Sequence, residues 1–244
     1  MMVFSFFNDA VLFSDSQSEE ITNDDLTTLA IRYGTDKGID HDYTPVYESY
    51  FTSLRKQHLK FLEIGFYKGS SARMWDAYFP QADLHFIDII PEAFTYANGL
   101  SSRCQFHIVD QANKDDLLRF IQKVGGDFDI IIDDGGHTMN QQITSFKTLF
   151  PYVKSGGIYI IEDLHTSYWV NYGGSGDPDH PKTNQDSTVC FLQTLVDDVN
   201  FIGATTQHAN KNKCPKEVKD KLNYHQRHIR SIHFYDSLCF IFKE

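Results

Sequence analysis

From residue 59 onward, short apolar runs alternate with longer stretches whose apolar positions recur at helical spacing. Leu59–Ile64, Leu84–Ile89, Phe106–Val109, Phe128–Ile132 and Ile158–Ile161 are apolar on both faces, as strands of a sheet covered on each side must be. Ser70–Tyr78, Lys114–Val124 and Met139–Phe150 lie between them and read as helices. Strand, helix, strand at this pitch predicts βαβ units, and so an α/β fold: a Rossmann-like, doubly wound and mostly parallel sheet. Ser231–Tyr235 and Leu238–Phe242 flank Asp236-Ser237, the pattern of an antiparallel hairpin closing that sheet, although Asp-Ser is a weaker turn than Asn-Gly.

Ahead of the alternation, Asp25–Arg32 predicts a helix ended by Gly34, and Pro45–Gln57 a second helix with proline in its first turn. Positions 15–25 are polar and acidic and read as a solvated loop or cap. Met1–Phe13 is apolar but lacks a positive start, so it is expected to pack on the domain, or to be the remnant of a larger polypeptide, rather than to be a signal peptide. Residues 166–188 are rich in Gly, Pro, Asp and Asn without periodicity, and a loop of that length is usually functional or disordered. Cys190–Val199 reads as a helix. The organisation expected is one domain over 1–244: a helical cap (1–57), a core (58–165), a long loop (166–188), and a C-terminal helix and hairpin (189–244).

Composition narrows the partners. The 33 acidic and 22 basic residues give a net charge of -11, which repels phosphate backbones and argues against nucleic acid and anionic membranes. No apolar run is long enough to span a bilayer. Cys104, Cys190, Cys214 and Cys239 stand apart with no C-x-x-C pair, so reduced thiols and a cytoplasmic location are expected.

Candidate chemistry gathers at the strand ends, where open α/β sheets bind ligands. FLEIGFYKGSSARMW places Glu63, Gly65, Gly69 and Ser70 at the turn from the first strand into its helix. The dinucleotide fingerprint G-x-G-x-x-G is absent, because Tyr67 occupies the place of its second glycine. The E-x-G-x-x-x-G turn resembles motif I of class I S-adenosylmethionine-dependent methyltransferases; the alternative is a plain strand-to-helix turn. Asp88 closes the second strand, where a carboxylate suits a ribose diol of NAD, FAD or S-adenosylmethionine alike. Asp110-Gln111 closes the third. Each acid alone could cap a helix, but three consecutive strand ends of this kind favour a cofactor.

The fourth and fifth strands end in FDIIIDDGGH, with Asp133, Asp134 and His137, and in GGIYIIEDLH, with Glu162, Asp163 and His165. Carboxylates so crowded repel one another unless something positive sits among them, and hard oxygen ligands suit Mg²⁺ or Ca²⁺. The alternative is that several cap helices or face solvent; Asp133 is the candidate, since its direction opposes that of Asp134. His165 and the group His225, His228 and His233 lack the further ligands of a zinc site and read as surface histidines. Tyr168, Trp169 and Tyr172 suit an aromatic platform for a sugar face, or simply pack the loop down.

DDGGH with the downstream IIED, together with YGTDKG (Tyr33–Gly38) and YTPVYE (Tyr43–Glu48), resembles the macrocin and mycinamicin sugar O-methyltransferases across residues 30–170. The resemblance implies a class I, metal- and S-adenosylmethionine-dependent enzyme that methylates a deoxysugar hydroxyl, such as one of rhamnose in a glycan or glycoside. It implies Asp134, Glu162 and Asp163 as ligands to Mg²⁺ or Mn²⁺, His137 as general base, and 166–188 as the acceptor loop. Thr35, Glu63, Gly65, Gly69, Ser70, Asp88, Asp110, Gln111 and Asp134 would line the cofactor. A metal chelated by neighbouring hydroxyls would orient the sugar and acidify one of them, and a histidine titrating near neutrality would take the proton. The competing role for His137 is structural. A catechol- or phenol-directed methyltransferase is the alternative of the same fold. An NAD-dependent oxidoreductase or epimerase is disfavoured by the absent G-x-G-x-x-G and Tyr-x-x-x-Lys, and a silent binding module by the carboxylates.

Overall fold

The computed structural model describes residues 24–174, 176, 185–207 and 213–244. The expectations for Met1–Phe13, for most of the 15–25 loop and for the middle of the 166–188 loop lie outside these residues. Seven strands form one sheet: β1 (Lys60–Ile64), β2 (Asp83–Asp88), β3 (Cys104–Ile108), β4 (Phe128–Asp133), β5 (Val153–Ile161), β6 (Ile229–Tyr235) and β7 (Leu238–Lys243). Their order is β3-β2-β1-β4-β5-β7-β6. The first five run parallel, and β7 joins β5 antiparallel with β6 at the edge. This is the doubly wound sheet with a closing hairpin that the hydrophobic pattern predicts. Chain reversal between β1 and β4 puts the switch point, and hence the ligand crevice, at the ends of those two strands.

Each face of the sheet has its own core. Helices α1 (Leu26–Tyr33), α3 (Thr44–Phe51) and α4 (Ser70–Tyr78) cover one face with Leu29, Tyr47, Phe51, Trp75 and Tyr78, all fully buried. Helices α5 (Lys114–Val124), α6 (Met139–Leu149) and α7 (Thr188–Thr206) cover the other with Leu117, Phe146, Leu149 and Leu192. Helix α1 begins and ends as expected: the Asp25 carboxylate accepts the Thr28 amide, and Gly34 closes the helix in left-handed geometry.

The differences from expectation have local causes. Helix α3 stops at Phe51 rather than Gln57, because residues 52–58 face largely to water and offer no packed stripe to extend it. Strand β5 starts at Val153, five residues before the apolar run. Its polar first half, Lys154 to Gly156, is exposed and invisible to a hydrophobic pattern. The short helix α2 (Asp36–Ile39) and the 3₁₀ turn Pro91–Ala97 were likewise not expected. The four cysteines are unpaired, and among the described residues no helix is long and apolar enough to cross a membrane.

On the α5 face, His85 of β2 and His107 of β3 are buried side by side. Their rings stack, with Nδ1 of His85 3.3 Å from Nε2 of His107. Burial, reinforced for His85 by its neighbour, pushes each imidazole down to about 4. Folded-state values below the unfolded one mean that the unfolded chain takes up the extra protons, so stability falls as pH drops from about 6.5 towards 4. Across pH 6.5 to 5 this amounts to about 1.5 kcal/mol for each ring. In thermal melts, a His85→Phe/His107→Phe variant should therefore show a flatter loss of Tm over that window. A slope identical to that of the parent chain would contradict the assignment.

Candidate active site

The centre of the site is a lysine. Gly34 turns the chain at the end of α1, and α2 carries Lys37 into the protein, where it is completely buried. Its Nζ lies 2.5 Å from Asp134 Oδ2, 2.8 Å from each carboxylate oxygen of Glu162, and 3.6 Å from Glu63 Oε1. Tyr47 of α3 donates its hydroxyl to Glu162 Oε1 at 2.5 Å, while Tyr43 donates to Asp163 Oδ1 at 2.9 Å. Glu63 also accepts from Trp75 Nε1 at 3.1 Å and Ser71 Oγ at 2.9 Å. Burial alone would lower the Lys37 ammonium, but Asp134, Glu162 and Glu63 outweigh it and hold the lysine well above its usual value. Three carboxylates share that one ammonium. Burial, only partly offset by Lys37, pushes Glu63 up to about 7, and burial with repulsion from Asp134 drives Glu162 well upward. Three acids thus face a single ammonium, and burial favours the protonated form of those that it does not balance.

In front of this cluster opens a cavity of about 640 Å³, the size of a small-molecule site. Gly65, Asp88, Asp110, Gln111, Asp134, His137 and Asp163 all line it. Thr35, Glu63 and Glu162 are buried behind its wall, and Gly69 and Ser70 start α4 outside it. Gly65 is required here: its φ is +95°, and a Cβ would come within 2.1 Å of the Asp134 carbonyl oxygen. The strand-end acids brace loops as well as facing the cavity. Asp88 Oδ2 accepts the amides of Phe66 and Tyr67 at 2.9 and 3.1 Å, and Oδ1 that of Ile90 at 2.9 Å. Gln111 donates to Asp133 Oδ1 at 2.9 Å and accepts from the Gly136 amide at 2.8 Å, so both ends of its amide are engaged. Asp133 points the other way from Asp134, into a buried network with Ser145, Tyr159 and Gln111. Apolar Ile64, Ile87, Ile89 and Val109 supply the remaining walls.

Three non-glycine residues on the cavity rim hold left-handed backbone: Tyr67 (φ 49°), His137 (56°) and Asp163 (56°). Such geometry is uncommon outside glycine and concentrates where side chains must be aimed. It brings His137 Nε2 to 3.4 Å from Asp163 Oδ2. One ligand atom from each of Asp134, His137 and Asp163 falls within 4.8 Å of the others, the group among the described residues that could hold a metal ion. Glu162 stands apart from that group, with both oxygens on Lys37. His225, His228 and His233 form no such group; His225 faces Asp198, and His233 contacts the Tyr50 hydroxyl.

Lys37, Tyr43 and Tyr47 were missed as site residues by sequence reasoning. Lys37 stands inside the YGTDKG segment, and Tyr43 and Tyr47 inside YTPVYE, so the resemblance marked the segments without showing which side chains turn inward.

Fold and cleft together are those of a Rossmann-like methyltransferase domain. Residues 62–164 match the family described as methyltransferase domain. The chain is 38% identical over 187 residues to the 8-demethyl-8-(2-methoxy-alpha-L-rhamnosyl)-tetracenomycin-C 3'-O-methyltransferase of Streptomyces olivaceus, covering 72% of this chain and 45% of that protein. It is 34% identical to mycinamicin VI 2''-O-methyltransferase of Micromonospora griseorubida, covering 90% of this chain and 52% of the relative. Among solved structures, the MycE methyltransferase in complex with Mg, SAH and mycinamycin VI superposes with a TM-score of 0.75 at 33% identity, covering 90% of this chain and 53% of that one. The chain therefore spans about half the length of the curated relatives it matches.

Removing the ammonium should expose how much depends on it. Lys37→Met leaves buried carboxylates without their counter-ion and should cost about 3–5 kcal/mol in urea unfolding at neutral pH. Adding Glu162→Gln should recover part of that loss, because less charge is then stranded. A single variant within about 1 kcal/mol of the parent would show that Lys37 is not the charge the cluster is built around.

Proposed function

We propose that the chain is an S-adenosylmethionine-dependent, divalent-metal-assisted O-methyltransferase acting on a sugar hydroxyl, with a deoxysugar such as rhamnose of a glycoside as acceptor. The observation that carries this reading is the convergence of Asp134, Asp163 and His137 on one cavity at the switch point. It is supported by likeness along 72% of the chain to an enzyme named as a 3'-O-methyltransferase of a rhamnosyl-tetracenomycin.

The cavity suits the cofactor. Its apolar walls accept a purine, Asp88 keeps one lone pair on Oδ1 for a ribose hydroxyl, and the carboxylates of Asp134 and Asp163 favour a cationic sulfonium. Bound there, S-adenosylmethionine supplies an electrophilic methyl group. The donor set also suits a hard divalent cation, because the carboxylates of Asp134 and Asp163 face the cavity side by side. Asp134, Glu162 and Asp163 would hold it, Asp134 and Asp163 lining the cavity and Glu162 buried beside Lys37. A cation in that position would orient and acidify a diol. A second reading makes His137 the third ligand in place of Glu162, and the 4.8 Å grouping favours it.

The chain's own residues do the rest. Gly65 lets the first loop approach a ligand closely, and Tyr43 fixes the Asp163 carboxylate. The left-handed backbone at position 137 aims the imidazole across the cavity. His137 Nδ1 is buried without a partner, so Nε2 is assigned to take the acceptor's proton, and Asp163 at 3.4 Å stabilises the imidazolium that forms. Most of the acceleration comes from holding nucleophile and methyl group in line.

S-adenosylhomocysteine should raise the Tm through linkage whereas NAD should not, and the reverse result would refute a methyltransferase. With Mg²⁺ and methyl-labelled S-adenosylmethionine, Asp134→Asn should abolish turnover and metal binding together. His137→Ala should keep metal and lose about 10²–10⁴ in kcat, with the residual rate rising with pH. Loss of metal by His137→Ala but not by Glu162→Gln would establish the second reading.

A further inference from the structure

Beside the carboxylates runs a wall of rings, of which the proposed chemistry uses only Tyr43. His41 and Tyr43 stack at 5.0 Å, His41 and His165 at 6.1 Å with planes 20° apart, and the His165 ring lies 4.4 Å from that of Trp169. His41 joins this wall to the site, because its Nδ1 is 4.0 Å from Asp163 and its Nε2 is 4.0 Å from Asp36, both of which line the cavity.

The wall is braced from behind. The turn of the β6–β7 hairpin places Ser237 in left-handed geometry, and its Oγ meets His165 Nδ1 at 2.5 Å and accepts the His165 amide at 3.1 Å. The Ser237 carbonyl accepts the Leu164 amide at 3.0 Å and the Tyr43 hydroxyl at 3.4 Å. The Trp169 amide donates to the Thr166 carbonyl at 3.0 Å, and its carbonyl accepts the Gly174 amide at 2.8 Å. Its backbone is thus anchored on both sides, yet the residue is 52% exposed. A large apolar ring presented to water by a fixed backbone is pre-organised to receive a ligand.

We propose that His41, His165 and Trp169 form the subsite for the acceptor's sugar ring, an inference that rests on the O-methyltransferase reading. A pyranose has a face of C–H bonds and an edge of hydroxyls. Laid on these rings it would bury the apolar face, while the edge turns to Asp163 and His137, where the hydroxyl must react. A 6-deoxyhexose adds a methyl group to the apolar part, so the subsite should favour it over the parent hexose. Of the aromatic platform suggested by the sequence, Trp169 belongs to the wall, Tyr172 reaches Trp169 at 6.0 Å, and Tyr168 is no part of it.

The test measures methyl transfer to methyl α-L-rhamnopyranoside, with catechol as a parallel acceptor and S-adenosylhomocysteine affinity as a separate readout. Trp169→Ala should raise the glycoside KM about tenfold and leave kcat within about threefold, the signature of a lost stacking contact. S-adenosylhomocysteine affinity should stay unchanged, and Trp169→Phe should restore most of the KM. An unchanged KM in Trp169→Ala, a joint loss of S-adenosylhomocysteine affinity, or no rescue by phenylalanine would overturn the subsite while leaving the methyltransferase reading intact. Preference of the parent chain for catechol would overturn the sugar assignment. If the parent chain methylates neither acceptor, the functional reading fails and takes the subsite with it.

Discussion

A buried ammonium among carboxylates is the constraint on which this molecule turns. Lys37 arrives from an N-terminal segment, whereas Glu63, Asp134 and Glu162 come from the ends of β1, β4 and β5. Taking so many ions out of water is expensive, and the arrangement is tolerable only because each carboxylate also accepts from a hydroxyl, an indole or the ammonium itself. The N-terminal helices are therefore tied to the sheet by charge as well as by the apolar packing of Tyr47, Phe51 and Trp75.

That same constraint shapes the chemistry. One ammonium serves three buried acids, so the carboxylates that also face the cavity, Asp134 and Asp163, are the ones left to meet a cation from the open side. Backbone geometry then sets direction. The left-handed residues at 137 and 163 turn an imidazole and a carboxylate towards each other, and the hairpin turn at Ser237 braces the loop that carries Asp163. The candidate site lies where the backbone is least relaxed.

Much of this could be read from the residues alone. The five parallel strands announce themselves as apolar runs, and the chemistry falls at their ends because the topology leaves the crevice there. Gly65 and Asp134 were singled out separately, and the structure shows why they belong together: a side chain at 65 would strike the backbone of 134. The positive charge that the crowded carboxylates demanded was assigned wholly to a metal. The structure supplies part of it from Lys37, whose partners lie 97 and 125 positions away, and no local pattern reports a pairing that distant. Asp88 and Gln111 read as ligand-binding residues but spend hydrogen bonds on holding loops, a use that only the folded geometry reveals. Period and hydrophobicity are silent about the polar half of β5, which faces water, and about α2, whose one buried residue is a lysine.

The relatives that resemble this chain are about twice its length, and the likeness runs along 90% of this chain. The central claim is that the cavity floor takes up a divalent cation in front of Lys37, with Asp134 and Asp163 as its open-side ligands. An anomalous difference map from crystals grown with Mn²⁺ and S-adenosylhomocysteine tests it most directly. The account predicts one peak between Asp134 and Asp163 at the cavity floor, with Lys37 still held by Glu162. No peak at saturating Mn²⁺, or a peak away from these carboxylates, would contradict it.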